Sequence, residues 1–186
     1  MRIYLIIVIL LFNLFFFIRA FLLSKSLGQN IKAKNLLLHL AIFFAGSASI
    51  LFLLYLVLPR FYFFWFKIFQ SSVLEMIGAI LITGGIVFSS IASLSLKNSW
   101  RIGFDRSEKT ELITNGIYGL SRNPYFLAYD FVLLGMVYYS LSLLIMVPVL
   151  LTIILFHLMI LKEEQFLEQT HGDIYIDYKN KVRRYI

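Results

Sequence analysis

Four stretches of this sequence run for more than twenty residues with almost no charge, and that bounds the fold before any motif is considered. Crossing the roughly 30 Å hydrocarbon core of a bilayer takes about 20 apolar residues in a helix. Ile3 to Leu23 is broken only by Asn13 and by Arg19, which sits near one end where a long side chain snorkels to the interface. Leu36 to Leu58 stops at Pro59, and Val73 to Leu96 carries Glu75 close to its first turn. Pro124 to Leu161 is too long for one span, and is expected to fold as two helices that break near Ser140-Leu141-Ser142. The first of these, Pro124 to Tyr139, reaches only about 24 Å at 1.5 Å per residue, so local thinning or a re-entrant hairpin has to accommodate it. Five spans are expected, with four as the alternative, in an all-α polytopic membrane protein.

Composition agrees. Charged residues make up 15% of the chain, where a soluble domain uses about 25% to cover its surface. Ile3 to Leu23 lacks a following small-residue cleavage site and is expected to remain as a span. There is no cysteine, which excludes disulfides, thiol nucleophiles and cysteine metal sites together. His39, His157 and His171 are scattered and offer no metal-ligand spacing, so no metal is expected. The net charge of +7 falls on loops rather than on one folded face, which points to anionic lipid headgroups and not to nucleic acid.

Lysine and arginine set the expected orientation. Thirteen fall on one side, in the segments after the first and third spans and after the last, against three (Arg2, Arg60 and Lys67) on the other. The positive-inside rule then puts the N-terminus out and the C-terminus in, with a bacterial or archaeal cytoplasmic membrane as the expected location. Phe61 to Phe66, with Trp65, reads as an aromatic belt at the outer interface.

Chemistry-bearing residues concentrate in two cytoplasmic segments, Lys97 to Asn123 and Lys162 to Ile186, which hold eight of the ten acidic residues. A hairpin between them would let the two segments close a pocket at the membrane surface. Thr114-Asn115-Gly116 is a turn signal. Asn123-Pro124 reads as an N-cap and first-turn pair, and a helix N-terminus beside Arg122 suits a carboxylate or phosphate. Glu163-Glu164 lies just past the last span, where a carboxylate can bind a cation at a pocket mouth. Gly172 is placed to stop that helix, and Ile174, Tyr175 and Tyr178 mark a short amphipathic helix against the membrane.

Taken in order, Glu111-Leu112-Ile113-Thr114-Asn115-Gly116-Ile117-Tyr118, Arg122-Asn123-Pro124, Glu163-Glu164, Gly172, Tyr175 and Tyr178 resemble the isoprenylcysteine carboxyl methyltransferase family, which also takes in membrane phospholipid methyltransferases. The resemblance runs from about Ser99 to Arg184. It implies an S-adenosylmethionine-dependent methyltransferase with its cofactor in a cytoplasmic pocket formed by the last helical hairpin and the C-terminal tail. The chain is then one membrane domain, 1–186, with three spans in 1–96 and the cofactor-binding part in 97–186. Carried over residue by residue, Thr110, Glu111, Leu112, Ile113, Tyr118, Asn123, Pro124, Tyr125 and Phe126 would line the cofactor site, and Glu163 would hold the cofactor's ammonium group. Three positions depart from the family pattern. Asn123 stands where His is usual, Phe126 where Tyr is expected (with Tyr125 one place earlier), and Met159 where enzymes acting on prenylated C-termini carry an Arg. The last leaves the acceptor open among a prenylcysteine carboxylate, a phospholipid amine or a similar lipophilic molecule entering from the membrane.

Methyl transfer from a sulfonium needs alignment and a dry pocket more than acid–base groups. Asp130, two helical turns beyond Asn123, is a candidate to take an amine's proton, since intramembrane carboxylates are expensive and often functional. Asp130 and Arg122 are therefore the catalytic candidates. The competing readings are an NADPH-dependent membrane reductase of the sterol reductase type and a non-catalytic scaffold of the same fold.

Overall fold

The computed structural model describes residues 1–28, 35–58, 65–69, 71–101 and 111–185. Over these residues the chain forms α1 (Arg2–Leu27), α2 (Leu36–Val57), α3 (Ser72–Ser95), α4 (Pro124–Ser140), α5 (Leu143–His171) and α6 (Asp173–Lys181), with single 3-10 turns at Lys97–Ser99 and Gly116–Gly119. Four of these, α1, α2, α3 and α5, are long and apolar enough to cross a membrane. With 17 residues, α4 is about 25 Å long. Large apolar side chains such as Ile3, Phe17, Phe43 and Ile80 are exposed along the bundle, as lipid contact requires. The molecule is an integral membrane protein.

Helices α3 and α4 form the tightest pair, running antiparallel: Gly78 faces Gly135 and Tyr139, and Gly85 faces Ala128 and Val132. The buried positions of α3 include Gly78, Ile82, Gly85, Ser89 and Ala92, with Ser93 buried beside the last. Their alternating spacing of four and three residues makes one continuous seam. Small residues let the two backbones touch: a Cβ on Gly85 would lie 2.7 Å from the Ala128 carbonyl, and one on Gly135 would lie 2.7 Å from that of Gly78. In lipid, where burial of apolar surface gives little drive, this close packing is what holds helices together.

The α4–α5 break falls at Leu141, which adopts a left-handed conformation (φ 48°, ψ 36°). A short segment before α3 pins this turn. The Ile68 N–H donates to the Leu141 carbonyl at 2.9 Å, and the Ser142 hydroxyl donates to the Trp65 carbonyl at 2.6 Å. The aromatic-belt expectation fails for Trp65, which is 1% exposed, packs on Tyr55 and donates its indole N–H to Leu58. Phe66 is exposed, while Phe61 to Phe64 lie outside the described residues.

At the opposite end of the bundle, α5 runs on past the apolar core, about 43 Å in all, until Gly172 (φ 56°) ends it. Helix α6 follows at once. Its face differs from expectation: Tyr175 and Tyr178, one turn apart, point into the protein, whereas Ile174 is exposed.

Candidate functional site

The turn signal at Asn115-Gly116 sets the first wall. Gly116 takes a left-handed φ of 60°, and the 3-10 turn it opens delivers Tyr118 to α3, where its hydroxyl reaches the Ala92 carbonyl at 3.4 Å. Tyr178 of α6 donates to the Tyr118 carbonyl at 2.6 Å, so the loop and the tail meet here. Burial pushes the Tyr118 hydroxyl up, with Glu163 adding to it, and burial raises Tyr178 to about 12. Both hydroxyls stay protonated and remain donors at neutral pH.

The second wall is an ion cluster around Glu164, whose side chain is 6% exposed. Arg122 grips its carboxylate through Nε and Nη2, each 3.2 Å away, and Arg184 adds Nε at 3.1 Å and Nη2 at 2.9 Å. The Asn123 amide donates to the same carboxylate at 3.1 Å. Arg122 also donates to the carbonyls of Val182 and Lys179, and its N–H pairs with Arg183. Asn123 does occupy the N-cap position of α4, but its side chain makes no capping bond and turns to Glu164 instead. The carboxylate foreseen beside Arg122 is thus the protein's own.

Glu163, next along α5, points about 100° away. It is half-buried, borders a cavity of about 350 Å³, and has no hydrogen-bond or ion-pair partner among the described residues. That volume falls in the range of small-molecule sites. Of the residues singled out in the sequence, Glu111, Leu112, Ile113, Tyr118, Arg122, Asn123, Tyr125, Phe126 and Glu163 all border this one cavity. Pro124 is buried but is not among the lining residues. Thr110 lies outside the described residues. Asp130 is set apart. At its depth the cavity is bordered by Phe126 and Tyr129, and Asp130 sits a further residue round the helix, close enough to Tyr185 to raise that hydroxyl further after burial. One Asp130 carboxylate oxygen is buried without a partner.

The cavity extends into a region that carries few sequence signals. Phe12, Asn13 and Phe16 of α1 and Ala45, Gly46 and Ser49 of α2 carry it into the apolar part of the bundle. The available signals were a lone Asn inside a span and the small-residue run Ala45-Gly46-Ser47-Ala48-Ser49, which leaves space beside α2. Met159, Trp100, Arg101, Tyr175 and Tyr178 also line it. Tyr175 is 1% exposed and its hydroxyl has no partner among the described residues. No group of three or more His, Asp or Glu able to hold a metal occurs among the described residues.

One cavity that joins an unpaired carboxylate to an apolar gap between membrane helices fits the chemistry of an enzyme working on lipid. A family model described as phospholipid methyltransferase matches residues 73–174. The chain belongs to the phospholipid methyltransferase family. The match takes in α3, α4, α5 and the start of α6. It therefore includes Glu111 to Phe126 and Glu163-Glu164, and it leaves α1, α2 and the tail outside. Membership supports a membrane methyltransferase and gives no support to the reductase or scaffold readings. No curated protein matches the chain significantly.

Proposed function

We propose that this phospholipid methyltransferase family member transfers the methyl group of S-adenosylmethionine to a lipophilic acceptor that reaches the cavity from the bilayer. The observation that carries the reading is the continuity of the cavity from Glu163 and Tyr118 at its polar end to Phe12, Ala45 and Ser49 at its apolar end. Bound S-adenosylmethionine would supply an electrophilic methyl group already activated by its sulfonium, and the protein's part is placement. Glu163, lacking an internal partner, is suited to an ammonium group. The buried Tyr175 hydroxyl, also without a partner, is suited to a polar group of the same ligand. Glu111, Leu112 and Ile113 would flank it, with Asn123, Tyr125 and Phe126 opposite. Thr110 keeps the same proposed role, carried by the resemblance alone.

Arg122 acts in this reading as a positioning residue. It fixes Glu164 and so the phase of α5, which decides where Glu163 points. Asp130 works through the tail, beside Tyr185, and not on the acceptor. Phe12, Phe16, Tyr125, Tyr129 and Phe156 keep water from the reacting centre, where effective alignment is worth about 7–11 kcal/mol of barrier. Met159 presents no charge to an acceptor carboxylate. The pocket opens toward the cytoplasm in the orientation that the Lys and Arg distribution favours.

The test is direct. Purified protein in native lipid extract is incubated with methyl-labelled S-adenosylmethionine, and the lipid fraction is separated. Label in a lipophilic product, together with measurable cofactor binding, is the expected outcome. A folded protein that neither binds the cofactor nor labels any lipid refutes the reading.

A further inference from the structure

Two buried N–H donors have no partner among the described residues: the indole Nε1 of Trp100, which borders the cavity, and the Nε of Arg19, which lies behind that ring. They belong to residues in contact. The Arg19 guanidinium sits 5.1 Å from the centre of the Trp100 ring. Its Nη2 is committed to the end of α3, donating to the Ser93 carbonyl at 2.6 Å and more weakly to Lys97 at 3.4 Å, so the group is fixed in place with another donor unused. Arg19 also has no ion-pair partner among the described residues. A cation within a membrane helix that has carbonyls and a ring beside it but no counter-charge, next to an unsatisfied indole N–H, is costly to keep unless something supplies an anionic oxygen.

The location says what that something is. Trp100 is 2% exposed and borders the cavity. Its ring packs on Phe16 and Tyr125, at the junction between the polar end at Tyr118 and the apolar gap lined by Phe12 and Ala45. A lipid lying in that gap would bring its headgroup to this junction. Of the other charged walls, Arg122 is consumed by Glu164, Arg101 is drawn to the Asn98 and Trp100 carbonyls, and Glu163 repels an anion.

We infer that Trp100 and Arg19 form the headgroup subsite of the acceptor and bind an anionic oxygen, a phosphate or a carboxylate, at the mouth of the α1–α2 gap. The inference rests on the cavity being the acceptor channel and does not require that methyl transfer occur. It makes the N-terminal span a determinant of specificity, although α1 lies outside the matched family region.

Three short-chain probes are titrated into the full chain in detergent: dihexanoyl phosphatidylethanolamine, S-farnesylcysteine and dihexanoylglycerol, the last without an anionic group. At least one anionic probe should bind in preference to dihexanoylglycerol. Trp100→Phe, which keeps the ring and removes the N–H, should weaken it about 10- to 100-fold, the range for a hydrogen bond to a charged group. Arg19→Lys, which keeps the charge and removes Nε, should weaken it as well and serves alone if Trp100→Phe does not fold. Which anionic probe responds distinguishes a phosphate from a carboxylate. Equal binding of the neutral probe, or folded variants that bind the anionic probes as the parent does, overturns the subsite. S-adenosylmethionine affinity is measured on the same samples. A parent protein that binds the cofactor but shows no headgroup selectivity sinks this inference alone, and a parent that selects the headgroup but never binds the cofactor sinks the methyltransferase reading alone.

Discussion

Gly85 and Gly46 both lie in the middle of membrane helices, yet their surroundings are opposite. A methyl group added at Gly85 would meet the Ala128 carbonyl at 2.7 Å and the Val132 backbone at 2.9 Å, whereas one added at Gly46 would meet nothing within 4 Å. The first glycine belongs to the α3–α4 seam, where backbones are in contact. The second borders the cavity between α1, α2 and the last hairpin. The two flanks of the bundle thus differ: one is packed backbone to backbone, and the other leaves an open cavity.

The contrast breaks most visibly by filling the seam. Gly85→Leu is expected to cost more than about 3 kcal/mol, because overpacking against backbone cannot be relieved by rotamer changes, and the loss should appear as a collapse of the thermal unfolding midpoint. A folded Gly85→Leu protein of normal stability would show that the seam is not rigid. Comparable in size is Glu164→Ala, which strands Arg122 and Arg184. Removing one member of a buried ion cluster typically costs 3–5 kcal/mol, seen here by denaturant unfolding and by early proteolysis of the tail. Glu163→Gln sharpens the comparison, since it lies on the open side. Cofactor affinity should fall about 10- to 100-fold by equilibrium dialysis while stability holds, and unchanged affinity would remove Glu163 from the cofactor site. Gly46→Phe should leave stability within about 1 kcal/mol and cofactor affinity intact, but raise the acceptor KM several-fold by blocking the gap. The smallest effect is alkaline. Tyr178 is raised by burial from 10 to about 12 and hydrogen-bonds Tyr118. Its contribution is therefore fully present below pH 10 and disappears as pH climbs through about 12. Tyrosinate absorbance should rise in step with loosening of the tail, and a Tyr178→Phe protein should lack that component.

Much of the architecture was legible because the bilayer imposes length. Apolar runs located α1, α2 and α3 to within a few residues, the Ser140-Leu141-Ser142 break separated α4 from α5, and Gly172 ended α5. Local chemistry located the 3-10 turn at Gly116 and brought Tyr118, Asn123 and Glu163 to one cavity. The remainder depended on contacts distant in sequence. Glu163 and Glu164 are identical side by side, and only the phase of α5 against Arg122 and Arg184 decides which is clamped. The Trp100–Arg19 contact links residues 81 positions apart, and Arg19 alone reads as an ordinary snorkelling cation. Trp65 looked interfacial because its neighbours are aromatic, and its burial follows from folding back onto Tyr55 and Leu58.

The segment that pins the turn at Leu141 has a mechanical consequence. Hydrogen bonds from Ile68 and Ser142 lock the α4–α5 elbow at the bundle end remote from Glu163. The far end of the same hairpin is tied as well, where Arg122 and Asn123 at the start of α4 hold Glu164 of α5. Braced at both ends, α4 and α5 act as one rigid truss, and any give needed for traffic through the cavity has to come from the α1–α2 flank.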